Sequence, residues 1–167
     1  MDKMYVQYGC GLSAPDEWIN FDVSPTLRIQ KLPIAGSLLK KRLNAVFPDN
    51  VLYGDIIKGL PVADNSCDGL YCSHTLEHLA LDDFRRALKN SFRVLKPGGV
   101  FRFASDIDDY AGWTLVRAAR CPDLDWTAGT ASDWTQPWAD WPGTRYEAKA
   151  LATGRKPTYL EFRRRPR

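Results

Sequence analysis

Residues 5–22 read YVQYGCGLSAPDEWINFD, and this stretch decides the fold of the 167-residue chain. It joins two short runs of strand-forming residues, Lys3–Tyr8 and Glu17–Val23, through a turn that holds Gly9 and Gly11. Glycine adopts backbone conformations that other residues avoid, and it lets a ligand approach the main chain closely. A strand that is followed by such a turn and a second strand predicts the beginning of an α/β sheet.

The middle of the chain alternates strands with helices. Strand-like runs cover Asn50–Tyr53, Cys67–Cys72 and Val100–Ala104, and helical spacing covers Gly36–Val46, Thr75–Leu95 and Asp108–Ala119. The second helical stretch is predicted to break near Ala80, with Asp82 as a helix cap, and Pro97–Gly99 is predicted to be a turn. The segment that starts at Pro25 is predicted to be a link. This alternation predicts right-handed crossovers and a mainly parallel sheet.

The C-terminal third has a different pattern. Strand-like runs at Asp123–Ala128 and Pro157–Phe162 flank a helix at Thr144–Ala152, which favours an antiparallel pair on the sheet edge. The final RRRPR, Arg163–Arg167, is predicted to be a solvated, frayed end. We therefore predict one α/β domain over residues 1–167, with a mainly parallel seven-stranded sheet and an antiparallel C-terminal edge.

The composition limits the classes of function. The formal net charge of +3 neither requires nor excludes a nucleic-acid partner. Four cysteines without a paired spacing indicate reduced thiols in a cytoplasmic protein. No secretory leader precedes the first apolar run, and no run approaches the roughly 20 apolar residues of a membrane helix. We expect a cytoplasmic protein with no membrane partner.

Polar and glycine positions follow each of the first three strands. Gly9 and Gly11 follow the first strand, Asp22 ends the second, and Asp55 follows the third. Ligands of parallel sheets bind beyond the carboxyl ends of the strands, where Asp22 can accept hydrogen bonds from ribose hydroxyls. Asp55 or the backbone amide of Ile56 can form a hydrogen bond with the edge of an adenine. Each position alone is also typical of a turn or a helix cap, but their order predicts a nucleoside cofactor.

These motifs resemble the class I methyltransferases, specifically the type 11 methyltransferase-domain family. The matching text is YGCGLSAPDEWINFD, YGDIIKGLPVADNSCDGLYCSHTLEHL and FRVLKPGG, within 5–103. The resemblance implies a Rossmann-like fold and S-adenosylmethionine as the cofactor, with Ser73 and His74 near its methyl group. Residues 1–103 would then form the cofactor half and 104–167 the substrate half. A nicotinamide cofactor fits less well, because Ala14 replaces the third glycine of the dinucleotide fingerprint.

The back of the chain resembles a second family, the bacterial tRNA (guanine-N7)-methyltransferases. The matching text is FRFASDIDDYAGWTL, DWPGTRYEAKAL and GRKPTYLEFRRR. The resemblance implies that Asp106, Thr144, Arg145, Tyr146 and Glu147 face a guanosine. Arginine, tyrosine and glutamate can hold a phosphate, stack on a base and accept hydrogen bonds from guanine, respectively. After the fourth strand, however, the chain has YCSHTLEHL where that family carries a basic stretch.

These resemblances predict methyl transfer from S-adenosylmethionine to tRNA, of the guanine-N7 type, with Asp106 and His74 as catalytic candidates. A small-molecule or sugar acceptor, or an inactive binding domain, stays open. His74 could accept a proton near neutral pH if the acceptor atom carries one. The HTLEH spacing is not the HExxH pattern of zinc enzymes, so we predict no metal site. Four tryptophans of the tail could stack bases, although packing against the sheet is favoured.

Overall fold

The structure, a computed structural model, describes residues 3–33 and 45–166 and contains one seven-stranded sheet. The strands are β1 Tyr5–Tyr8, β2 Ile19–Asp22, β3 Val51–Tyr53, β4 Cys67–Ser73, β5 Leu95–Ser105, β6 Leu124–Trp126 and β7 Thr158–Arg164. The α-helices of this part of the chain are α1 Pro25–Gln30, α2 Leu81–Val94, α3 Asp108–Ala119, α4 Ser132–Thr135 and α5 Arg145–Ala152. A single 3-10 turn, Leu76–His78, lies between β4 and α2.

The strand order is β3-β2-β1-β4-β5-β7-β6. Strands β1 to β5 are parallel to one another, and β7 is antiparallel to both β5 and β6. The predicted fold class is therefore confirmed, including the antiparallel C-terminal edge. The chain adds β2 and β3 on one side of β1 and then crosses to β4 on the other side. Open α/β sheets bind ligands at such a switch in strand order.

Apolar side chains fill the face of the sheet on which α2 and α3 pack. The register aligns Val6, Leu70, Phe101 and Phe162 across four strands, and all four are buried. Phe84 of α2 packs against this cluster, with Tyr110 and Trp113 of α3 beside it. The alternation of strand residues directs every second side chain to this core.

The opposite face of the sheet carries a polar row that aromatic rings cover. Arg102 Nε donates to Glu161 Oε2 over 2.7 Å, and the Tyr71 ring stacks on Trp141 with centroids 5.8 Å apart. Trp18 lies 4.0 Å from the Tyr71 ring. Burial raises the pKa of the Tyr71 hydroxyl. Trp141, together with Trp138, therefore packs against the sheet, as the favoured interpretation of the tryptophans held.

Several local predictions are wrong. The predicted link after Pro25 begins with α1, because Ser24 caps the helix and accepts a hydrogen bond from the amide of Thr26. Helix α2 begins at Leu81, so Asp82 lies in its first turn and pairs with Arg85 instead of capping it. The predicted helix over 36–46 lies mostly outside the described residues.

The predicted turn at 97–99 is an irregularity inside β5. Cys67 pairs with Leu95 and Gly69 with Val100, so β5 contains three more residues than β4 over this interval. Gly98 accommodates the resulting bend with a φ of 80°. A bulge of this kind bends a strand without ending it.

The predicted frayed end is wrong for residues 163–165. Arg164 donates to the carbonyl oxygens of Phe92 and Leu95, and its guanidinium carbon lies 4.0 Å from the Phe92 ring centroid. Arg165 pairs with Asp125 at 2.7 Å. The last strand is thus fixed to the end of α2 and to β6. In the described part of the chain, no helix is long and apolar enough to cross a membrane.

Candidate functional site

The turn after β1 and the carboxylate that ends β2 are in direct contact. Gly9 and Gly11 have φ values of 64° and 55°, a region that favours glycine. The Gly11 amide donates to Asp22 Oδ2 over 2.9 Å, and the Ser24 amide donates to Oδ1 over 2.8 Å. Each carboxylate oxygen has a second lone pair. Asp22 can therefore fix the turn and still accept a hydrogen bond from a ligand.

The Asp22 carboxylate also affects the pKa of the Cys10 thiol in this turn. Cys10 lies between the two glycines and is buried. Burial, followed by the negative charge of Asp22, raises the pKa of Cys10 to about 12. The thiol therefore stays protonated and serves as an apolar neighbour of the turn.

A cavity of about 120 Å³ opens beside the glycine turn. Its lining brings together residues from both predicted halves: the turn 9–13, Ala45, Phe47, Ser73 and 144–146. Small-molecule pockets usually begin near roughly 300 Å³. A cavity of this size holds only part of a nucleoside. The Ser73 hydroxyl is buried and has no hydrogen-bond partner among the described residues, so a polar ligand group could satisfy it.

The relation of Asp55 to the site is less direct than that of Asp22. It follows β3, one strand beyond Asp22, but its Oδ1 accepts from the Ile57 amide over 2.9 Å within its own turn. The Ile56 side chain is buried in the core, and its carbonyl accepts from Asn90 over 2.7 Å. Asn90 of α2 thereby holds this turn in place. The structure puts Asp55 and Ile56 at the correct edge of the sheet, and their contact with an adenine stays a prediction.

A second group of polar residues lies at the ends of β4 and β5. His74 Nδ1 is 3.0 Å from Asp106 Oδ1 and 3.5 Å from Glu77 Oε1. The other oxygen of Asp106 is 2.5 Å from Arg155 Nη1. The His74, Glu77 and Asp106 side chains are at most 8% exposed. The sequence predicts His74 and Asp106 as separate candidates, and neither their contact nor the ion pair with Arg155 is predicted from it.

The four residues of the segment 144–147 have different roles at the site. Thr144 is the N-cap of α5, and it exchanges hydrogen bonds with Glu147 in a capping box. Arg145 and Tyr146 line the cavity and are exposed to solvent. The Tyr146 ring lies 5.9 Å from the His74 ring, so it spans the space between the glycine turn and His74.

Glu147 points into the protein. Its Oε2 accepts from Trp141 Nε1 over 2.6 Å and from the Thr144 amide, and its Oε1 accepts from the Tyr159 hydroxyl. Burial and the bond to Glu147 raise the pKa of Tyr159, because both disfavour its ionised form. Contact with a base would require these bonds to break. The observed role of Glu147 is to hold α5 and the loop before it against the sheet.

A parallel sheet with this strand order, a glycine turn after β1 and an acid at the end of β2 define the class I fold of S-adenosylmethionine-dependent methyltransferases. The family model described as "Methyltransferase domain" matches residues 6–103. The chain belongs to this methyltransferase-domain family. The cofactor of the class is S-adenosylmethionine, as predicted, and a carboxylate acceptor beside the turn suits the hydroxyl donors of its ribose.

Part of the chain is similar to curated tRNA (guanine-N(7)-)-methyltransferases. It is 61% identical to the Azorhizobium caulinodans protein over 72 residues, which are 43% of this chain and 31% of that protein. It is 60% identical to the Agrobacterium fabrum protein over 73 residues, 44% of this chain and 32% of that protein. The matched segment thus spans about a third of the length of these relatives.

Solved structures share the fold over nearly the whole chain. The N-methyltransferase NodS from Bradyrhizobium japonicum, in complex with S-adenosylhomocysteine, has a TM-score of 0.55 at 16% identity and covers 97% of this chain and 78% of that one. A methyltransferase in complex with the Haloferax volcanii Trm112 activator has a TM-score of 0.54 at 20% identity, with 99% and 83% covered. At these identities the similarity establishes the fold.

Proposed function

We propose that the chain transfers the methyl group of S-adenosylmethionine and that its acceptor is tRNA. The observation that carries methyl transfer is a cavity lined by the glycine turn and by Ser73, whose hydroxyl is unpartnered among the described residues, with Asp22 bonded to the amide of Gly11 in that turn. Gly9, Gly11 and Asp22 would hold the nucleoside, and Asp55 with the amide of Ile56 would contact the adenine.

When bound, the cofactor supplies a methyl group that its sulfonium already activates for displacement. The chain's own residues then have to align the acceptor and keep water out. Ser73, at the end of β4, and Tyr146 of α5 both line the cavity. The backbone at Gly9 and Gly11 leaves room for the donor, since neither residue carries a Cβ atom.

Two observations support RNA as the acceptor. The relatives matched by part of the chain are named for tRNA guanine-N7 methylation. The solvent-exposed side of α5 and the turn after it carries cations, namely Arg145, Lys149 and Lys156. The acid of this segment, Glu147, is buried, so no negative side chain of 144–157 opposes a phosphate. Tyr146, which is 58% exposed, could stack on a base beside them. A tRNA acceptor also agrees with the predicted cytoplasmic location.

The test of this proposal is methyl transfer and binding to unmodified tRNA transcripts. Radiolabelled methyl groups should enter the tRNA, and the affinity should fall as salt rises because phosphate contacts release counterions. Lys149→Glu should weaken binding and reduce the salt slope by about one. Lys89→Glu, the same charge change at an exposed position of α2, should leave both unchanged. Binding that does not depend on salt would contradict an RNA acceptor.

A small-molecule acceptor is the second candidate. The observation that favours it is the small size of the site, because the cavity measures about 120 Å³ and the His74 side chain is only 7% exposed. A small acceptor could reach His74 more easily than a nucleotide within a folded RNA. Label that enters a metabolite extract but not tRNA would select this candidate.

A further inference from the structure

The surroundings of His74 determine which of its ring nitrogens carries a proton. Asp106 Oδ1 lies 3.0 Å from Nδ1, and Glu77 Oε1 lies 3.5 Å from the same atom. A carboxylate can only accept a hydrogen bond. Nδ1 must therefore donate, and in the neutral ring the lone pair is left on Nε2.

The Nε2 atom is buried and has no hydrogen-bond partner among the residues that the structure describes. Buried polar atoms are normally satisfied, so this nitrogen is available to accept a hydrogen bond from a ligand group. The adjacent Ser73 hydroxyl is also unpartnered, and Ser73 lines the cavity beside the glycine turn. His74 follows Ser73 directly, and its ring lies 5.9 Å from the ring of Tyr146, which also lines the cavity.

The backbone supports a role for His74 other than packing. Its φ is 49°, which is in the left-handed region that L-residues with a Cβ atom disfavour by about 1–2 kcal/mol. The amide of His74 bonds to the carbonyl of Ala104 over 3.2 Å and holds this conformation. Strained residues whose side chains are fixed by several partners cluster at functional sites.

Asp106 is in turn held by Arg155, which fixes the orientation of its carboxylate. His74 and Glu77 lie inside the segment that matches the methyltransferase-domain family, 6–103, whereas Asp106 and Arg155 lie beyond it. The arrangement therefore exists only where the two parts of this chain meet.

We infer that His74 Nε2 accepts a proton from the acceptor atom during methyl transfer, with Asp106, Glu77 and Arg155 as positioning residues. The methyl–sulfur bond breaks, the sulfur keeps the electron pair, and the acceptor's lone pair forms the new bond to the methyl carbon. The acceptor's proton moves to Nε2 and then to solvent. The sum is S-adenosylmethionine plus H–X giving S-adenosylhomocysteine, methyl–X and one proton.

This inference rests on the proposed methyl transfer, and it names the class of acceptor: a hydroxyl or an N–H group. Guanine N7 has a lone pair and no proton, so transfer to N7 yields a cationic base and releases no proton. The His74 arrangement thus predicts that this chain methylates a different atom from the one for which its tRNA relatives are named.

The first test needs no acceptor. The chain has two histidines, so nitrogen NMR of ¹⁵N-histidine-labelled protein resolves both rings, and His78→Gln identifies the signals of His74. The expected result is a His74 ring with a proton on Nδ1 and a free Nε2. Asp106→Asn should move the ring toward the Nε2–H form, because the fixed acceptor for Nδ1–H is lost. A ring that is protonated on Nε2 or on both nitrogens would overturn the inference.

The second test counts protons during turnover in weakly buffered solution with an indicator dye. Whichever acceptor takes up label, tRNA transcript or metabolite extract, one proton should be released for each methyl transferred. Methyl transfer with no proton release would overturn the inference and leave N7 methylation standing. No label in either acceptor would instead contradict the proposed function, while the NMR result would still decide the tautomer.

Variants separate catalysis from folding. His74→Gln should lower the rate of transfer by about 100- to 10,000-fold, which is the usual contribution of a general base. Its affinity for S-adenosylhomocysteine should stay within about threefold of the parent chain. The matched control His78→Gln, at an exposed position of the same turn, should keep the full rate. An equal loss of rate in both variants would overturn the assignment.

Discussion

Replacing Gly9 or Gly11 by alanine tests the geometry on which the cofactor site depends. A Cβ atom on Gly9 would lie 2.0 Å from Thr75 Oγ1, whereas one on Gly11 would have the Tyr146 ring as its nearest neighbour, at 3.9 Å. Both residues have positive φ. Gly11→Ala should therefore cost only the left-handed strain, about 1–2 kcal/mol. Gly9→Ala should cost the same strain plus an overlap worth about 1–3 kcal/mol.

The difference between the two variants is the informative quantity, because the entropy that alanine removes from the unfolded chain is the same in both. Urea unfolding of the full chain measures it directly. The double variant Gly9→Ala with Thr75→Ala should recover part of the loss, since the Oγ1 contact disappears while the Thr75 Cβ, 3.0 Å away, remains. If the two single variants are equally stable, or if Thr75→Ala gives no recovery, the described packing of the turn is wrong.

Three further outcomes follow from the structure. Burial raises the pKa values of Cys10 and Cys72 to about 12, so only the partly exposed Cys121 should react quickly with a disulfide reagent at pH 8. The free energy of unfolding should also fall as pH rises above about 9, because the unfolded chain ionises thiols that the folded chain keeps protonated. Arg164→Ala should lower the free energy of unfolding by about 1.5–3 kcal/mol, since two carbonyls lose a charged donor, and urea titration will show it. Glu147→Gln should destabilise the fold by about 1–3 kcal/mol without changing affinity for S-adenosylhomocysteine in calorimetry, because its carboxylate holds the protein and not the cofactor.

Local sequence patterns were sufficient to predict the sheet. Alternating strand and helix signals predicted β1 to β5, and Asp108–Ala119 is helical over the predicted range. Helix α1 was missed although its signal was present, because Ser24 followed by Pro25 is typical of a helix start. The prediction of a turn at 97–99 was wrong for a different reason. Pairing with β4 continues across it, and such pairing is a property of the tertiary structure.

The candidate site could be predicted only in part. Gly11 and Asp22 follow consecutive strands, so their contact is a direct consequence of parallel pairing. The His74 arrangement depends on Asp106 and Arg155, which are brought to His74 by β5 and by the segment between α5 and β7. No spacing in the sequence predicts that these residues come into contact. The inward orientation of Glu147 likewise depends on Tyr159 of the neighbouring strand, and a motif alone does not show it.

The central claim is that the glycine turn and Asp22 hold the nucleoside of the methyl donor, and calorimetric titration of the full chain with S-adenosylhomocysteine tests it most directly. We expect saturable binding of one molecule per chain. Asp22→Asn should weaken it by about 10- to 100-fold, the value of a hydrogen bond to a charged group, while Asp83→Asn, at a partly exposed position of α2, should not change it. A folded chain that binds no S-adenosylhomocysteine, or equal affinities in all three proteins, would contradict the account.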